Sequence, residues 1–213
     1  MRSYGQYCGL ARSLEVVGDR WNLLIVRELL IGPRRYRDLI ERLHGIATNL
    51  LAERLRDLEA AGVVERRLSG RGSVVQYALT PWGAELREPI AGLIRWSTPL
   101  MIRGPEGDVF RLEWLMLAVP ALLDRQRTTT PEAAIGLDVE ETVLQLRATR
   151  YGFEIGPHDG RALVGTLRAE PMCVLGLAAG ALTIDEARAL GMAEIDGDEA
   201  TVREIFEPLA SRG

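Results

Sequence analysis

The chain has 213 residues, a formal net charge of -4 and 47% hydrophobic residues, a length that accommodates two domains of ordinary size. Its two cysteines, Cys8 and Cys173, lie far apart in sequence, which excludes a disulfide framework and a cysteine-based metal motif. The N-terminus has no apolar signal stretch and no apolar run is long enough to span a bilayer, so we expect a cytoplasmic protein without a membrane partner.

The charge is unevenly distributed along the chain. Residues 1 to 103 contain 16 Arg against 11 acidic residues, whereas residues 104 to 213 contain 10 Arg against 19. The net negative charge of the whole chain argues against nucleic-acid binding. A basic half can nevertheless supply by itself the positive surface that attracts DNA phosphates. The change in charge and the Gly/Pro/acid-rich residues 104 to 108 predict two domains, 1-103 and 104-213. The absence of Lys suits bidentate phosphate or guanine contacts, but a GC-rich genome explains it more simply.

Two helices are predicted before the most basic segment, over residues 8 to 17 and 21 to 31. In the second, four apolar residues fall on one side and few polar residues interrupt the helix, which indicates burial: Trp21, Leu24, Ile25 and Leu29.

Residues 34 to 80 predict a winged helix. A short amphipathic helix over residues 36 to 43 is followed by a turn containing Gly45 and by a longer helix. We expect Thr48 to cap that longer helix and Gly62 to end it in a left-handed conformation. Strands over residues 63 to 68 and 74 to 79 then flank a polar tip, residues 69 to 73.

The longer helix has one face suited to packing and one suited to reading DNA. Its leucines stack on the first face, and the opposite face carries Asn49, Ala52, Glu53 and Arg56. Asn and Arg form two-pronged hydrogen bonds with adenine and guanine edges in the major groove. The alternative is an ordinary amphipathic surface helix with a solvated polar face. Arg71, at the tip between the strands, suits a phosphate or minor-groove contact and equally a solvated turn.

Thr80 and Pro81 predict a further helix, capped by the threonine and opened by proline at its first position. It is expected to continue past Ile90 toward Trp96, with Pro89 and Pro99 bending or breaking it.

The first hundred residues resemble the HxlR family of bacterial winged-helix regulators. The resemblance is carried, in order, by Cys8, residues 14 to 21 (LEVVGDRW), 27 to 29 (REL), 32 to 36 (GPRRY), 50 to 59 (LLAERLRDLE), Gly62, 77 to 80 (YALT) and Gly83. Members of the family usually have Phe at the position of Tyr36 and often Ser-Pro at that of Ala47 and Thr48. The resemblance implies a homodimer, joined through the first and last helices of the domain, that reads a near-palindromic site in double-stranded DNA.

The candidate DNA contacts are polar or basic residues of the short helix, the reading helix and the tip: Arg34, Arg35, Tyr36, Thr48, Asn49, Arg54, Arg56 and Arg71.

The second half predicts an α+β domain in which an antiparallel sheet is covered by helices. A strongly apolar helix near residues 114 to 122 precedes alternating strands around residues 143 to 147, 151 to 155 and 163 to 167, interpreted as an antiparallel meander. A helix over residues 171 to 182, a capping box at residues 183 to 186, a strand over 192 to 195 and a helix over 199 to 209 follow.

This order resembles sterol carrier protein type two domains, through residues 180 to 182 (GAL), 191 to 195 (GMAEI), 196 to 198 (DGD) and a closing helix with Phe206. The resemblance implies an apolar cavity that holds a lipid-like or aromatic effector. Its candidate lining residues are apolar and also suit a plain core: Trp114, Phe153, Met172, Leu175, Leu177 and Phe206.

No catalytic motif, metal-ligand cluster or cofactor fingerprint is found, so we expect neither an enzyme nor a cofactor. The leading hypothesis is a homodimeric DNA-binding regulator controlled by an apolar effector. The alternatives are a thiol-based redox sensor acting through Cys8, a residue that also suits a small buried apolar position, and a lipid carrier or scaffold that uses its winged helix for protein contacts.

Overall fold

The computed structural model describes residues 3-69, 74-101, 104-123 and 133-207. Contacts divide the chain into two compact units, Met1–Ile90 and Ala91–Gly213. The division falls inside a helix, so it marks no linker, and the domain boundary placed after residue 103 on charge stays a prediction.

The N-terminal unit follows the predicted order of elements. Its helices are α1 (Gly9–Val17), α2 (Asn22–Ile31), α3 (Tyr36–Arg42), α4 (Thr48–Ala60) and α5 (Pro81–Ala84), and its hairpin consists of β1 (Val64–Ser69) and β2 (Val74–Leu79). Helix α6 (Arg87–Ser97) begins in this unit. The arrangement of α3, α4 and the hairpin is a winged helix-turn-helix, as predicted.

Helix α4 begins one residue earlier than its predicted cap implied. Ala47 is the N-cap, in an extended conformation, and Thr48 is already the first helical residue, so the predicted cap at Thr48 is wrong. The HxlR family, which the sequence resembles, often has Ser-Pro at residues 47 and 48, and this pair indicates the same helix start. Proline suits the first helical position, and the serine before it suits the cap. At the other end, Gly62 has a φ of +76°, as predicted.

The end of α4 is a Schellman motif. The N–H of Gly62 donates to the carbonyl of Glu59 at 3.0 Å, and the N–H of Val63 donates to that of Leu58 at 2.9 Å. Val63 is buried, so the chain enters the hairpin with its first apolar side chain already packed.

Burial of α2 only partly follows the predicted face. Ile25 and Leu29 are buried, but Leu24 is 40% exposed and Trp21 is only partly buried. The buried side of α2 also includes Asn22, Val26 and Glu28. Glu28 has no exposed surface, and its carboxylate lies 2.8 Å from Arg27.

Thr80 caps α5 as predicted. Its Oγ1 accepts from the N–H of Gly83 at 3.0 Å and donates to the carbonyl of Gly62 at 2.6 Å, so one hydroxyl joins the helix start to the end of α4. The helix expected from residue 81 to residue 96 is two helices, however, because α5 ends at Ala84 and α6 begins at Arg87, so the break precedes Pro89, where it was predicted. A Cβ at Gly83 would lie 2.1 Å from the carbonyl oxygen of Val63, which makes glycine necessary there.

The C-terminal unit contains the rest of α6 and a five-stranded sheet with four helices. After short 3-10 helices at Thr98–Met101 and Leu112–Trp114, the elements are α7 (Leu115–Leu123), β3 (Ala134–Val139), β4 (Thr142–Thr149), β5 (Gly152–Pro157), β6 (Gly165–Ala169), α8 (Pro171–Ala178), α9 (Ile184–Ala189), β7 (Ala193–Gly197) and α10 (Glu199–Phe206).

The sheet is mixed, which corrects the predicted antiparallel meander. Its order is β5-β4-β3-β6-β7, and β6 pairs with β3 in parallel, while the other neighbours are antiparallel. The sequence interpretation missed β3, whose Gly136 interrupts the alternation, and therefore assigned the strand after residue 160 to the wrong neighbour.

One face of the sheet packs against the helices and the other is polar. The buried face carries Ile135, Leu137, Leu146 and Leu167, which form a core with residues of α7, α8, α9 and α10. This confirms an α+β unit with covering helices. Among the described residues, no helix is long and apolar enough to cross a membrane.

Candidate nucleic-acid interface

The packing of α4 determines which of its side chains face outward. Leu51, Leu55 and Leu58 are buried at three- and four-residue spacing, so the opposite face is presented to solvent. Asn49 and Arg56 are exposed on that face, as the sequence predicted.

Two of the outward residues are available for contacts. The Oδ1 of Asn49 accepts only from the adjacent N–H of Leu50, at 3.0 Å, within the parts of the chain that the structure describes. Arg56 makes no hydrogen bond or ion pair with any described residue. Thr48 is exposed at the first turn, without a side-chain cap bond. The amide nitrogen of Asn49 and the guanidinium of Arg56 therefore have no partner among the described residues that a base edge would displace.

Arg54 differs from these residues because its guanidinium already has acidic partners. Its Nη1 donates to Asp19 and lies 3.3 Å from the carboxylate of Asp57, and its Nη2 lies 3.1 Å from that of Glu53. The side chain is only 16% exposed. The spacing of Arg54 and Asp57 on one helix was visible in the sequence, whereas Asp19 was not indicated by any local pattern.

The basic residues that precede α3 are held by the backbone. Arg34 forms a bridge with Tyr77 of β2, through N–H to carbonyl bonds of 2.9 and 2.7 Å. The N–H of Arg35 donates to the carboxylate of Asp38 at 3.0 Å, which fixes the start of α3. The Arg35 side chain is exposed and that of Arg34 is partly buried.

Tyr36 joins the two helices of the helix-turn-helix. Its hydroxyl donates to the backbone carbonyl of Thr48 at 2.5 Å, so the first turn of α3 is tied to the first turn of α4. The phenol predicted to contact DNA thus has an internal partner.

The hairpin carries further arginines that the sequence analysis did not single out. Arg66 lies 2.9 Å from the carboxylate of Glu59 and stacks on the ring of Tyr77, and Arg67 pairs with Glu65. The predicted contact Arg71 lies outside the described residues.

Cys8 lies at the N-cap of α1 and is exposed. The backbone N–H groups of Ala11 and Leu10 lower the pKa of its thiol. Burial instead raises the pKa of the Cys173 thiol in α8. The two thiols therefore differ in both access and acidity.

The residues predicted to line a cavity lie around the core of the C-terminal unit. Phe153, Leu177 and Phe206 belong to that core, and Leu175 packs against it. Met172 on α8 is partly buried. Trp114 is also partly buried and meets Phe110 edge to face, with ring centroids 6.0 Å apart. Among the described residues, no group of three or more His, Cys, Asp or Glu side chains is placed to hold a metal ion.

The described fold and the outward face of α4 define a winged helix-turn-helix protein. The HxlR-like helix-turn-helix family matches residues 16–103. The HTH-type transcriptional regulator YodB of Bacillus subtilis is 35% identical over 86 residues, which cover 40% of this chain and 77% of YodB. The chain belongs to the HxlR-like helix-turn-helix family.

Two further comparisons cover the same half of the chain. The HTH-type transcriptional regulator Rv3095 of Mycobacterium tuberculosis is 38% identical over 104 residues, and the match spans 48% of this chain and 65% of that relative. The solved structure of reduced YodB from B. subtilis has 32% identity and a TM-score of 0.40, over 46% of this chain and 99% of that one.

Proposed function

We propose that the chain is a transcriptional regulator that binds double-stranded DNA as a homodimer and reads the major groove with α4. One observation carries the proposal: Asn49 and Arg56 are both exposed on a helix whose other face is buried in the helix-turn-helix. Seven residues of helix span roughly 10 Å, about the length of three base pairs. Both are residue types that read purine edges.

The remaining candidates divide by their contacts. We assign base readout to Asn49 and Arg56, and phosphate contacts to Arg34, Arg35 and Thr48 near the helix starts, where polar donors meet the DNA backbone. Arg71 at the tip of the hairpin is proposed as a phosphate or minor-groove contact.

The experiment is a selection of bound fragments from the source genome, followed by titration of the enriched duplex. We expect Asn49→Ala to change the preferred bases. Arg35→Ala or Arg71→Ala should weaken binding to all sequences, and should lower the slope of log affinity against log salt concentration (the salt slope) by about one unit per lost contact. Arg161→Ala, which removes an exposed arginine from the C-terminal unit, is the matched control. It should change neither the base preference nor the affinity and its salt slope. If none of the three variants departs from this control, the proposed contacts are refuted.

Each unit exposes apolar residues that suit a homodimer interface. Leu10 and Leu14 are exposed on α1, and Trp96 and Leu100 are exposed on α6 and the 3-10 helix after it. Large apolar groups in solvent at helical spacing favour burial against a partner. Sedimentation should show a dimer that Leu14→Asp and Trp96→Asp weaken, and a monomer at micromolar concentration would refute this assignment.

The C-terminal unit is proposed to bind a lipid-like or aromatic effector between its sheet and helices, by its resemblance to sterol carrier proteins. Half-buried Leu175 on α8 packs against the apolar core, and Met172 on the same helix is also partly buried. A ligand alters DNA affinity only if it binds the DNA-competent state differently. Fatty acids and aromatic acids should be titrated while operator binding is followed. If none binds the chain, the effector proposal fails and the DNA-binding proposal stands.

Redox control through Cys8 is an alternative that its exposure and lowered pKa favour. A more acidic, accessible thiol is oxidised first. Diamide treatment should change operator affinity in the wild type and in Cys173→Ser but not in Cys8→Ser. An equal response in all three would exclude Cys8. A chain that retains no genomic fragment would instead support the lipid-carrier or scaffold alternative.

A further inference from the structure

The ion pairs of Arg54 leave it poorly suited to bind phosphate. Its guanidinium has carboxylates of Asp19, Glu53 and Asp57 as partners, and these acids are 62%, 54% and 48% exposed while Arg54 is 16% exposed. Three negative charges around one positive charge give the cluster no net attraction for a phosphate. Arg54 also extends less into solvent than its partners do.

Asp19 reaches α4 from the loop between α1 and α2, residues 18 to 21. The loop is held in shape by Asn22, whose N–H donates to the Asp19 carbonyl at 3.1 Å and whose Nδ2 donates to that of Val16 at 2.9 Å. Trp21 in this loop is left-handed, with a φ of +84°. The loop therefore presents its side chains from a fixed backbone.

The same loop meets the helix-turn-helix at a second point. The indole of Trp21 comes within 4.0 Å of the place that a Cβ on Gly45 would occupy. Gly45 lies in the turn between α3 and α4 and has a φ of +86°. The loop thus lies beside the turn that precedes α4, at Trp21, and is joined to α4 itself by the ion pair of Asp19 and Arg54.

We propose that Arg54 is a positioning residue: its ion pair with Asp19 holds α4 against the loop between α1 and α2, and Arg54 does not contact DNA. The proposal rests on the function proposed above. Base readout requires side chains held within about 0.5 Å of the productive geometry, so a loosened α4 would misplace Asn49 and Arg56 together.

The sign of the effect of Asp19→Ala on DNA affinity tests this proposal. Removing an acid near DNA ordinarily strengthens binding, because phosphate repulsion falls. The positioning role predicts the opposite, a loss of about fivefold, since contacting residues of one ion-pair network are energetically coupled. Binding is measured with the full chain and a duplex enriched from the genomic fragments that the wild type retains.

Two further variants distinguish positioning from charge. Asp19→Glu keeps the ion pair and should bind within about twofold of the wild type, because the carboxylate is retained. In the double variant Asp19→Ala/Arg54→Ala, the loss should not exceed that of Arg54→Ala alone, since each change removes the same interaction. The salt slope of Asp19→Ala should match that of the wild type, because no phosphate contact is lost.

Glu41→Ala is the matched control. Glu41 is an exposed acid of α3 that pairs with Arg37 of the same helix, so its removal leaves the loop and α4 joined. The affinity of Glu41→Ala for the duplex should equal or exceed that of the wild type. Circular dichroism verifies the fold of each variant, and Asp19→Asn replaces Asp19→Ala with the same expectations if the alanine variant is unfolded.

Each outcome decides the proposal. An Asp19→Ala protein that binds as tightly as the wild type, or more tightly, overturns it while leaving the DNA-binding function intact. Additive losses in the double variant, with a lower salt slope for Arg54→Ala, would make Arg54 a phosphate contact. A wild type that retains no fragment refutes the proposed function, and the positioning role with it.

Discussion

Replacing Tyr36 with phenylalanine tests whether its phenol serves the fold or the DNA. The hydroxyl donates to the carbonyl of Thr48, which, as part of the first turn of α4, also accepts the helical bond four residues on. The substitution therefore leaves no buried acceptor without a partner. We expect a loss of about 0.5 to 1 kcal/mol, at the lower end for a net hydrogen bond, and the same ring in the same place.

The assay combines urea unfolding with operator titration of Tyr36→Phe. A structural role predicts a slightly lower midpoint, an unchanged m-value and DNA affinity within about twofold of the wild type. Asn49→Ala is the comparison, because its side chain accepts only a local bond and its effect should lie in base preference. If Tyr36→Phe binds DNA tenfold more weakly at unchanged stability, the hydroxyl contacts DNA and the structural interpretation is refuted.

Three other predictions concern local features. Thr80→Ala should destabilise the N-terminal unit by about 1 to 2 kcal/mol through loss of the α5 cap, and an unchanged urea midpoint would contradict this. Glu140→Asn with Glu141→Gly should stabilise the C-terminal unit by roughly 1 kcal/mol per position, because both glutamates have positive φ values, of 49° and 63°, at the β3-β4 turn; an unchanged thermal midpoint would contradict it. Alkylation of Cys8 should reach half its maximal rate below the pH of about 8.5 typical of a free thiol, because its pKa is lowered, whereas Cys173 should stay unreactive while folded; equal rates would contradict the assignment.

The sequence predicted the features that depend on neighbouring residues. The Thr80 cap, the left-handed Gly62 and the capping box of Thr183 and Glu186 are all present, because each requires only a few positions of chain. The cap predicted at Thr48 was wrong by one residue, because Ala47 has no side-chain acceptor and so its residue type does not indicate a cap.

Features that depend on distant residues were not predictable from local patterns. Strands β3 and β6 pair in parallel, although β4 and β5 lie between them in the sequence. Alternation within a strand does not specify which strand lies beside it. The Arg54 partner Asp19 likewise lies on another element. A basic residue on the polar side of a helix therefore could not be distinguished, by spacing alone, from one that binds DNA.

The bridge between Arg34 and Tyr77 is made by backbone atoms alone. Such a pair fixes the path of the chain into α3 without regard to which side chain position 34 carries. The Nε of Arg34 is buried and makes no hydrogen bond within the described residues, so the register of the wing does not depend on this guanidinium. Position 34 is therefore a place where evolution or design can adjust affinity for DNA while the scaffold stays unchanged.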